Sequence, residues 1–403
     1  MPLGPDELRR PRLGRMISRR TAYRLTALTL VASAALQLAV YRRGGHTSLG
    51  DIPGRYFAWH LGPHALPYLD RRVEYPVAIG AVGYLTALVG RSGTSFFVLT
   101  ALMSTGLAFV MTRLLSTREP ARVIRWAIGL PVVLYAFHNW DLFAMVPAVL
   151  GILAYERREH VKAGAWLGLG LSTKVFPGLI LGPLVVRRWF DGDRRGAMRM
   201  AASGVAVTAA LNVPVALASW KGWSYPAKFQ GARHATWGSL VSWITSPPWG
   251  MSRVVEFSDP AKVANAIAFA LLALGLITIS IVGVRRRLGA AAIGAAVVAV
   301  FMLSNKVYSP NYDVWLVPFF VLVPFARRQW IAFCAADFAM FVVVFGRFHG
   351  WVDSSLTGNL VPVIVVIRAV VIGSMIVTAL GGWPRSLRML RWSTRPQRAP
   401  RMS

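Results

Sequence analysis

The chain has 403 residues, 55% of them hydrophobic, and a formal net charge of +29. A mean hydropathy of +0.50 excludes an ordinary soluble domain and points to a polytopic membrane protein. The positive charge does not indicate a nucleic-acid partner, because 30 of the 45 lysines and arginines lie in short segments between alternate pairs of apolar stretches.

Those basic segments are 1–24, 113–125, 156–162, 187–199, 285–287, 327–328 and 385–401. Lysine and arginine are retained on the cytoplasmic side of a bilayer and bind anionic headgroups there, so all seven are assigned inside. The first apolar stretch, 21–41, follows a basic tail at 1–20. It is long enough to span and is read as a retained anchor, although Ala32-Ser33-Ala34 faintly resembles a leader cleavage site. Eleven further spans are expected near 94–115, 123–137, 141–155, 161–173, 175–187, 199–218, 263–284, 289–303, 314–326, 330–347 and 360–380. A second basic tail closes the chain at 381–403. Several stretches fall short of the ~20 residues a spanning helix needs, so tilted or partial helices around a cavity are expected. Segment 77–90 is apolar and begins after Pro76. If it crossed, every later loop would invert, so it is read as a juxtamembrane helix lying on or dipping into the external face. The outward segments are then 42–75, 138–141, 172–174, 219–262, 304–313 and 347–359. The single cysteine, Cys334, excludes an intrachain disulfide and a cysteine-based metal site.

Residues with chemical potential gather in the outward set. Asp51 follows the first span by about ten residues and can accept a proton at the water interface, or simply cap a helix. Asp70 and Glu74 are further acids, with Arg71 and Arg72 beside them. The turn His138-Asn139-Trp140-Asp141 ends in an acid that either caps the next helix or joins a site. Lys174, in Ser172-Thr173-Lys174-Val175-Phe176-Pro177, and Lys306, in Asn305-Lys306-Val307-Tyr308-Ser309-Pro310-Asn311-Tyr312, sit in matching turns. Snorkelling explains one such lysine, but two on one face, with Arg233 and His234, suggest a patch for a phosphate at headgroup depth. Loop 219–262 carries Trp220, Trp223, Tyr225, Phe229, Trp237, Trp243 and Trp249. Most are read as interfacial aromatics, with one or two lining a cleft. Asp337 and Arg368, deep in apolar stretches, are expected to form a structural ion pair.

Taken in order, these segments resemble glycosyltransferase family 87, the polyprenol-phosphate-mannose-dependent mannosyltransferases of the GT-C superfamily. The resemblance runs from about residue 21 to 326. It rests on Asp51 with Tyr56, Pro67-Tyr68, Glu74-Tyr75-Pro76, Asn139-Trp140-Asp141-Leu142, Thr173-Lys174-Val175-Phe176-Pro177 and Asn305–Tyr312 leading to Trp315. Val77 stands where the family has a second proline, and Asn311 where it often has glutamine. The resemblance implies an all-α, GT-C-like bundle of about twelve transmembrane helices over 21–380, with a juxtamembrane helix in the first external loop. It also implies transfer of mannose from a polyprenyl-phosphate sugar to a hydroxyl of a glycolipid or glycan acceptor at the external face of the plasma membrane. Asp51 would be the general base. Lys174, Lys306, Arg233 and His234 would meet the donor phosphate. Tyr56, Glu74, Tyr75, His138, Asn139, Asp141, Tyr308, Asn311 and Tyr312 would bind substrate. Inversion follows from attack opposite the departing phosphate. No cofactor or obligatory metal is expected, on the premise that the chain lacks an Asp-x-Asp pair. A transporter or lipid flippase is the alternative reading, since spans broken by short turns also occur there.

Overall fold

A computed structural model of the protein describes residues 17–44, 50–62, 65–245, 258–348, 350 and 352–381. Most of the two basic tails, together with Trp249 of the large aromatic loop, lies outside the described residues.

Among the described residues the chain is helical, with isolated bridges as its only β pairing. Helix α1 (Arg19–Gly44) is followed by the first long loop, which holds α2 (Asp51–Trp59) and α3 (Val77–Val89). Then come α4 (Gly93–Arg118), the short α5 (Ile124–Ala127) and α6 (Leu130–Tyr135), α7 (Asp141–Glu156), α8 (His160–Thr173), α9 (Val175–Phe190) and α10 (Arg194–Ala218). The second large loop contains α11 (Trp220–Trp223), α12 (Tyr225–Ala232) and α13 (Ser242–Thr245). The chain continues through α14 (Pro260–Arg285), α15 (Ala290–Ser304), a 3-10 helix (Pro310–Leu316), α16 (Val317–Leu322), α17 (Arg327–Phe348) and α18 (Ser354–Ala379).

Among the described residues six helices are long and apolar enough to cross a bilayer: α1, α4, α10, α14, α17 and α18. The other six segments expected to span coincide with α5–α6, α7, α8, α9, α15 and the 3-10 helix with α16, none longer than 16 residues. At 1.5 Å per residue even the longest of these reaches only about 24 Å, short of a ~30 Å hydrocarbon core. Twelve full-length spans are therefore not met by length. Burial explains the short helices. Along the apolar stretches of α10 and α14 only 11% of residues are buried, as on a lipid-facing periphery. By contrast, 13 of the 16 residues of α7 and 10 of the 15 of α15 are buried, so these two form the centre and need not reach both surfaces alone. Segment 77–90 is a helix, as expected. Its 13 residues extend about 20 Å, too little to span.

The closest helix packing joins α8 to α10. Gly164 and Gly168 form a Gly-xxx-Gly step on α8, and a Cβ built on them would fall 1.9 Å from the Met200 carbonyl oxygen and 2.3 Å from that of Gly204. Small residues allow this approach where apolar side chains gain nothing by leaving lipid. The sequence-expected pair of Asp337 and Arg368 does not form. The Asp337 carboxyl accepts from the Tyr135 hydroxyl at 3.0 Å and neighbours the buried Asp313 carboxyl, which accepts from the Tyr308 hydroxyl at 2.9 Å. Arg368 instead stacks on the Tyr308 ring, 3.2 Å from its centroid, and donates to the Gly238 carbonyl at 2.8 Å. Each charged group found a partner nearer than the other.

Candidate active site

One end of the bundle encloses a cavity of about 1350 Å³. Its walls come from 42–75, 138–141, 172–174, 219–262 and 304–313, all segments expected to face outward, and from neighbouring helix ends, and among the described residues none of the basic segments contributes. Helices α7, α9, α10, α14 and α15 each run from the cavity end to a basic segment.

Asp51 occupies the first turn of α2, where a helix N-terminus favours a carboxylate. Its backbone N–H donates to the His138 carbonyl at 2.9 Å, which ties the first long loop to the turn before α7. Asp51 Oδ2 accepts from Asn139 Nδ2 at 2.7 Å and from the Tyr75 hydroxyl at 3.1 Å. Burial, reinforced by the Asp51 charge, pushes the Tyr75 hydroxyl well above its ordinary value, so it remains a donor. Oδ1 lies 3.9 Å from Arg55, and the Asp51 side chain keeps 40% of its exposure. One oxygen is thus held and the other faces the cavity. Arg55, one helical turn on, also meets Glu74 at 2.5 Å, and Glu74 accepts from Trp59 Nε1 at 2.7 Å.

Lys174 is the single extended residue between α8 and α9, ending one helix and starting the next. That break turns its side chain inward, and it is only 8% exposed. Nζ donates to Asp141 Oδ1 at 2.5 Å and to Asn139 Oδ1 at 3.2 Å. Asp141 makes no side-chain cap for α7. Its carboxylate also accepts from Asn311 Nδ2 at 2.7 Å and Trp315 Nε1 at 2.6 Å. A continuous chain therefore runs Asp141–Lys174–Asn139–Asp51, drawn from α2, the α6–α7 turn, α7 and the α8–α9 break.

The other side of the cavity is differently charged. Lys306 Nζ donates to the carbonyls of Gly231 at 3.0 Å and Arg233 at 2.5 Å. Among the described residues no carboxylate lies within ion-pair distance of Lys306 or Arg233. Burial, then the adjacent Arg233 charge, lowers the Lys306 pKa. Thr236 clips the Lys306 turn to the large loop, its N–H donating to Lys306 O at 2.9 Å and its hydroxyl accepting from Tyr308 N at 2.7 Å. Tyr308 donates to Asp313 at 2.9 Å, which couples this turn to the buried acid pair.

The cavity thus gathers Asp51, Glu74, Tyr75, His138, Asn139, Lys174, Arg233, Lys306, Tyr308, Asn311 and Tyr312. Three expected site residues lie elsewhere. Asp141 is 1% exposed and sits beneath the floor, behind Lys174. Tyr56 packs on Phe57 and Phe96 at ring distances of 5.3 and 5.6 Å, because the α2 helix turns it away from Asp51. His234 is exposed and outside the lining. Of the loop aromatics, Trp220, Trp223, Phe229 and Trp237 line the cavity, more than the one or two expected. Sequence reasoning missed Arg55, whose i+4 spacing from Asp51 was visible, and Trp315, whose role depends on a partner 174 positions away. The premise about acid pairs was also mistaken. Asp191-Gly192-Asp193 is an Asp-x-Asp, but it lies beyond the far end of α9. There Asp191 pairs with Arg187, and Asp193 binds His160 and the Gly196 N–H.

Comparison with curated proteins and with solved structures finds no match. The profile of glycosyltransferase family 87 matches residues 74–310, more than half the chain. That stretch begins at Glu74 and ends at Pro310, taking in Asn139, Asp141, Lys174, Arg233 and Lys306, while Asp51 joins them through geometry alone. With this match, and a bundle whose helices include six able to cross a membrane, the chain belongs to glycosyltransferase family 87.

Proposed function

We propose that this protein transfers mannose from a polyprenyl-phosphate donor to a hydroxyl of a glycolipid or glycan acceptor, at the external face of the plasma membrane and with inversion. The observation that carries the reading is the division of charge within one cavity. Asp51 presents an oxygen with no hydrogen bond among the described residues, while its partner oxygen is fixed by Asn139 and Tyr75. Lys306 and Arg233 also line the cavity, and among the described residues no carboxylate lies within ion-pair distance of either cation. In the reaction the acceptor O–H proton passes to Asp51 Oδ1 as the oxygen bonds to the anomeric carbon. The bond from that carbon to the phosphate oxygen breaks, and the lipid phosphate leaves as an anion stabilised by the unpaired cations.

The dimensions support two substrates. Small-ligand pockets are typically about 300–1,000 Å³, and this cavity exceeds that. One wall is apolar, formed by Val175 and Leu179 of α9 and by Ala268, Phe269 and Leu272 of α14. Phe269 is 71% exposed on a helix that is itself almost unburied, which suits entry of a polyprenyl chain from the bilayer. Lys174 acts here through Asn139, since Asp141 already balances its charge.

The test is Asp51→Asn in purified protein, with defined polyprenyl-phosphate sugars and a membrane lipid extract, read by mass spectrometry. A general base contributes roughly 10²–10⁴-fold, so transfer should fall by at least about a hundredfold while donor binding is kept. Turnover near the wild-type rate would remove Asp51 from the mechanism.

A further inference from the structure

Arg368 is the single charged residue of α18, and it lies behind the cavity wall rather than on it, with 2% of its surface exposed. Its helix also falls outside residues 74–310, the stretch that the family profile matches. An apolar bilayer offers a guanidinium no solvent, so its protein partners have to account for it. One nitrogen is accounted for, since Nη2 donates to the Gly238 carbonyl at 2.8 Å. Nε and Nη1 are buried with no hydrogen-bond partner among the described residues. No carboxylate among those residues lies within ion-pair distance of the group either. A methionine would pack in its place and bury no unpaired donor, so arginine gains nothing here as a filler.

What the guanidinium does hold is the wall in front of it. Its central carbon lies 3.2 Å from the centroid of the Tyr308 ring. Gly238 is pressed against the same ring, where an added Cβ would fall 2.7 Å from Tyr308 Cδ1. Arg368 thus joins the large loop, at Gly238, to the turn 305–312, at Tyr308. Thr236 makes a second tie between the same two segments, through Lys306 O and Tyr308 N. Lys306 itself reaches back to the carbonyls of Gly231 and Arg233. Gly238, Tyr308, Lys306 and Arg233 all line the cavity. The hold on the ring is electrostatic and the hold on the carbonyl is directional, so one side chain fixes both segments relative to α18.

We propose that Arg368 is a positioning residue for the donor phosphate: from α18 it clamps Tyr308 and Gly238 together, and so sets Lys306 and Arg233 where they meet the anion. This role rests on the reading of Lys306 and Arg233 as the phosphate-binding cations, and the experiment separates the two.

Full-length protein purified in uncharged detergent is titrated calorimetrically with farnesyl phosphate, with farnesol as the uncharged control. Wild type should bind the phosphate more tightly than the alcohol, and Lys306→Ala should weaken that binding. Failure of either removes the phosphate reading and the role of Arg368 with it. Arg368→Met should weaken farnesyl phosphate about tenfold, as for one misplaced charge-assisted hydrogen bond, and leave farnesol unchanged. Arg368→Lys should recover most of the loss, since an ammonium is also drawn to the ring and can donate to the Gly238 carbonyl. In transfer assays Arg368→Met should raise the donor KM in the same proportion and keep the acceptor KM. If Arg368→Met does not fold, Arg368→Gln, which keeps a donor for Gly238 but no charge over Tyr308, takes its place. With Lys306→Ala impaired, wild-type affinity for farnesyl phosphate in Arg368→Met would overturn the proposal. Equal losses for farnesyl phosphate and farnesol, or an Arg368→Lys protein no better than Arg368→Met, would overturn it too, because a role in packing alone gives those results.

Discussion

Replacing Lys174 by methionine isolates the role of its charge. Lys174 and Asp141 are 8% and 1% exposed, with Nζ and Oδ1 2.5 Å apart. Removing one partner of such a pair costs about 3–5 kcal/mol, mostly the penalty of leaving the other charge buried. Asp141 would still accept from Asn311 and Trp315, which places Lys174→Met near the lower limit, at ~3 kcal/mol. Asp141→Asn leaves an ammonium group between the rings of Trp315 and Tyr75, at 5.4 and 5.9 Å, whose attraction offsets ~1 kcal/mol of a similar loss. The double variant removes both charges and should lie within about 1–2 kcal/mol of wild type, far from the sum of the singles. Thermal unfolding in detergent micelles reads the order directly: each single variant melts several degrees low and the double variant recovers. Its turnover should stay depressed, because Asn139 loses the 3.2 Å contact that orients it toward Asp51, while the donor KM changes little. A Lys174→Met protein that melts like wild type yet raises the donor KM tenfold would refute this. Lys174 would then be a free cation spent on the phosphate.

Two further outcomes follow from buried groups. Burial, aided by the Lys174 charge and opposed by Asp51 and Asp141, lowers the His138 pKa from its usual 6.5, so the unfolded chain takes up a proton that the folded one refuses. Stability should therefore fall as pH drops below about 6.5 and level off beneath the folded value, and His138→Phe should flatten that slope in pH-dependent melts. An unchanged slope would mean the imidazole titrates freely. At Asp337, Asp337→Asn keeps an acceptor for the Tyr135 hydroxyl and should hold stability within about 1 kcal/mol, whereas Asp337→Leu strands that buried hydroxyl at a cost of ~1–3 kcal/mol. Equal melting of the two variants would argue against a stabilising role for this hydrogen bond.

Much of this molecule was legible before any coordinates, because two of its signals are one-dimensional. Basic residues gather beside alternate apolar stretches, and the helix ends away from them are the ones that build the cavity. Asn139, Lys174 and Lys306 could be named because each sits in a short polar break between apolar runs, where few residue types compete for notice, whereas Asp51 shares the long segment 42–75 with two further acids. Span length was less legible. The same apolar composition serves α14, with 4 of its 26 residues buried, and α15, with 10 of its 15 buried, and hydropathy does not distinguish lipid from protein as the apolar neighbour.

Pairing was the part that only the tertiary structure decided. Two lysines in look-alike turns were read as one cationic patch, yet Lys174 is neutralised by Asp141 and Lys306 is not. Asp337 and Arg368 were read as partners, yet each turned to a different neighbour. Composition and order along the chain determined that this is a multi-pass membrane protein and where its polar turns fall, while the motifs in those turns carried the resemblance to glycosyltransferase family 87. Which charge cancels which depends on separations of a few ångströms between residues far apart in sequence, because Coulomb and hydrogen-bond energies vary steeply over that range, and a linear string does not contain those distances.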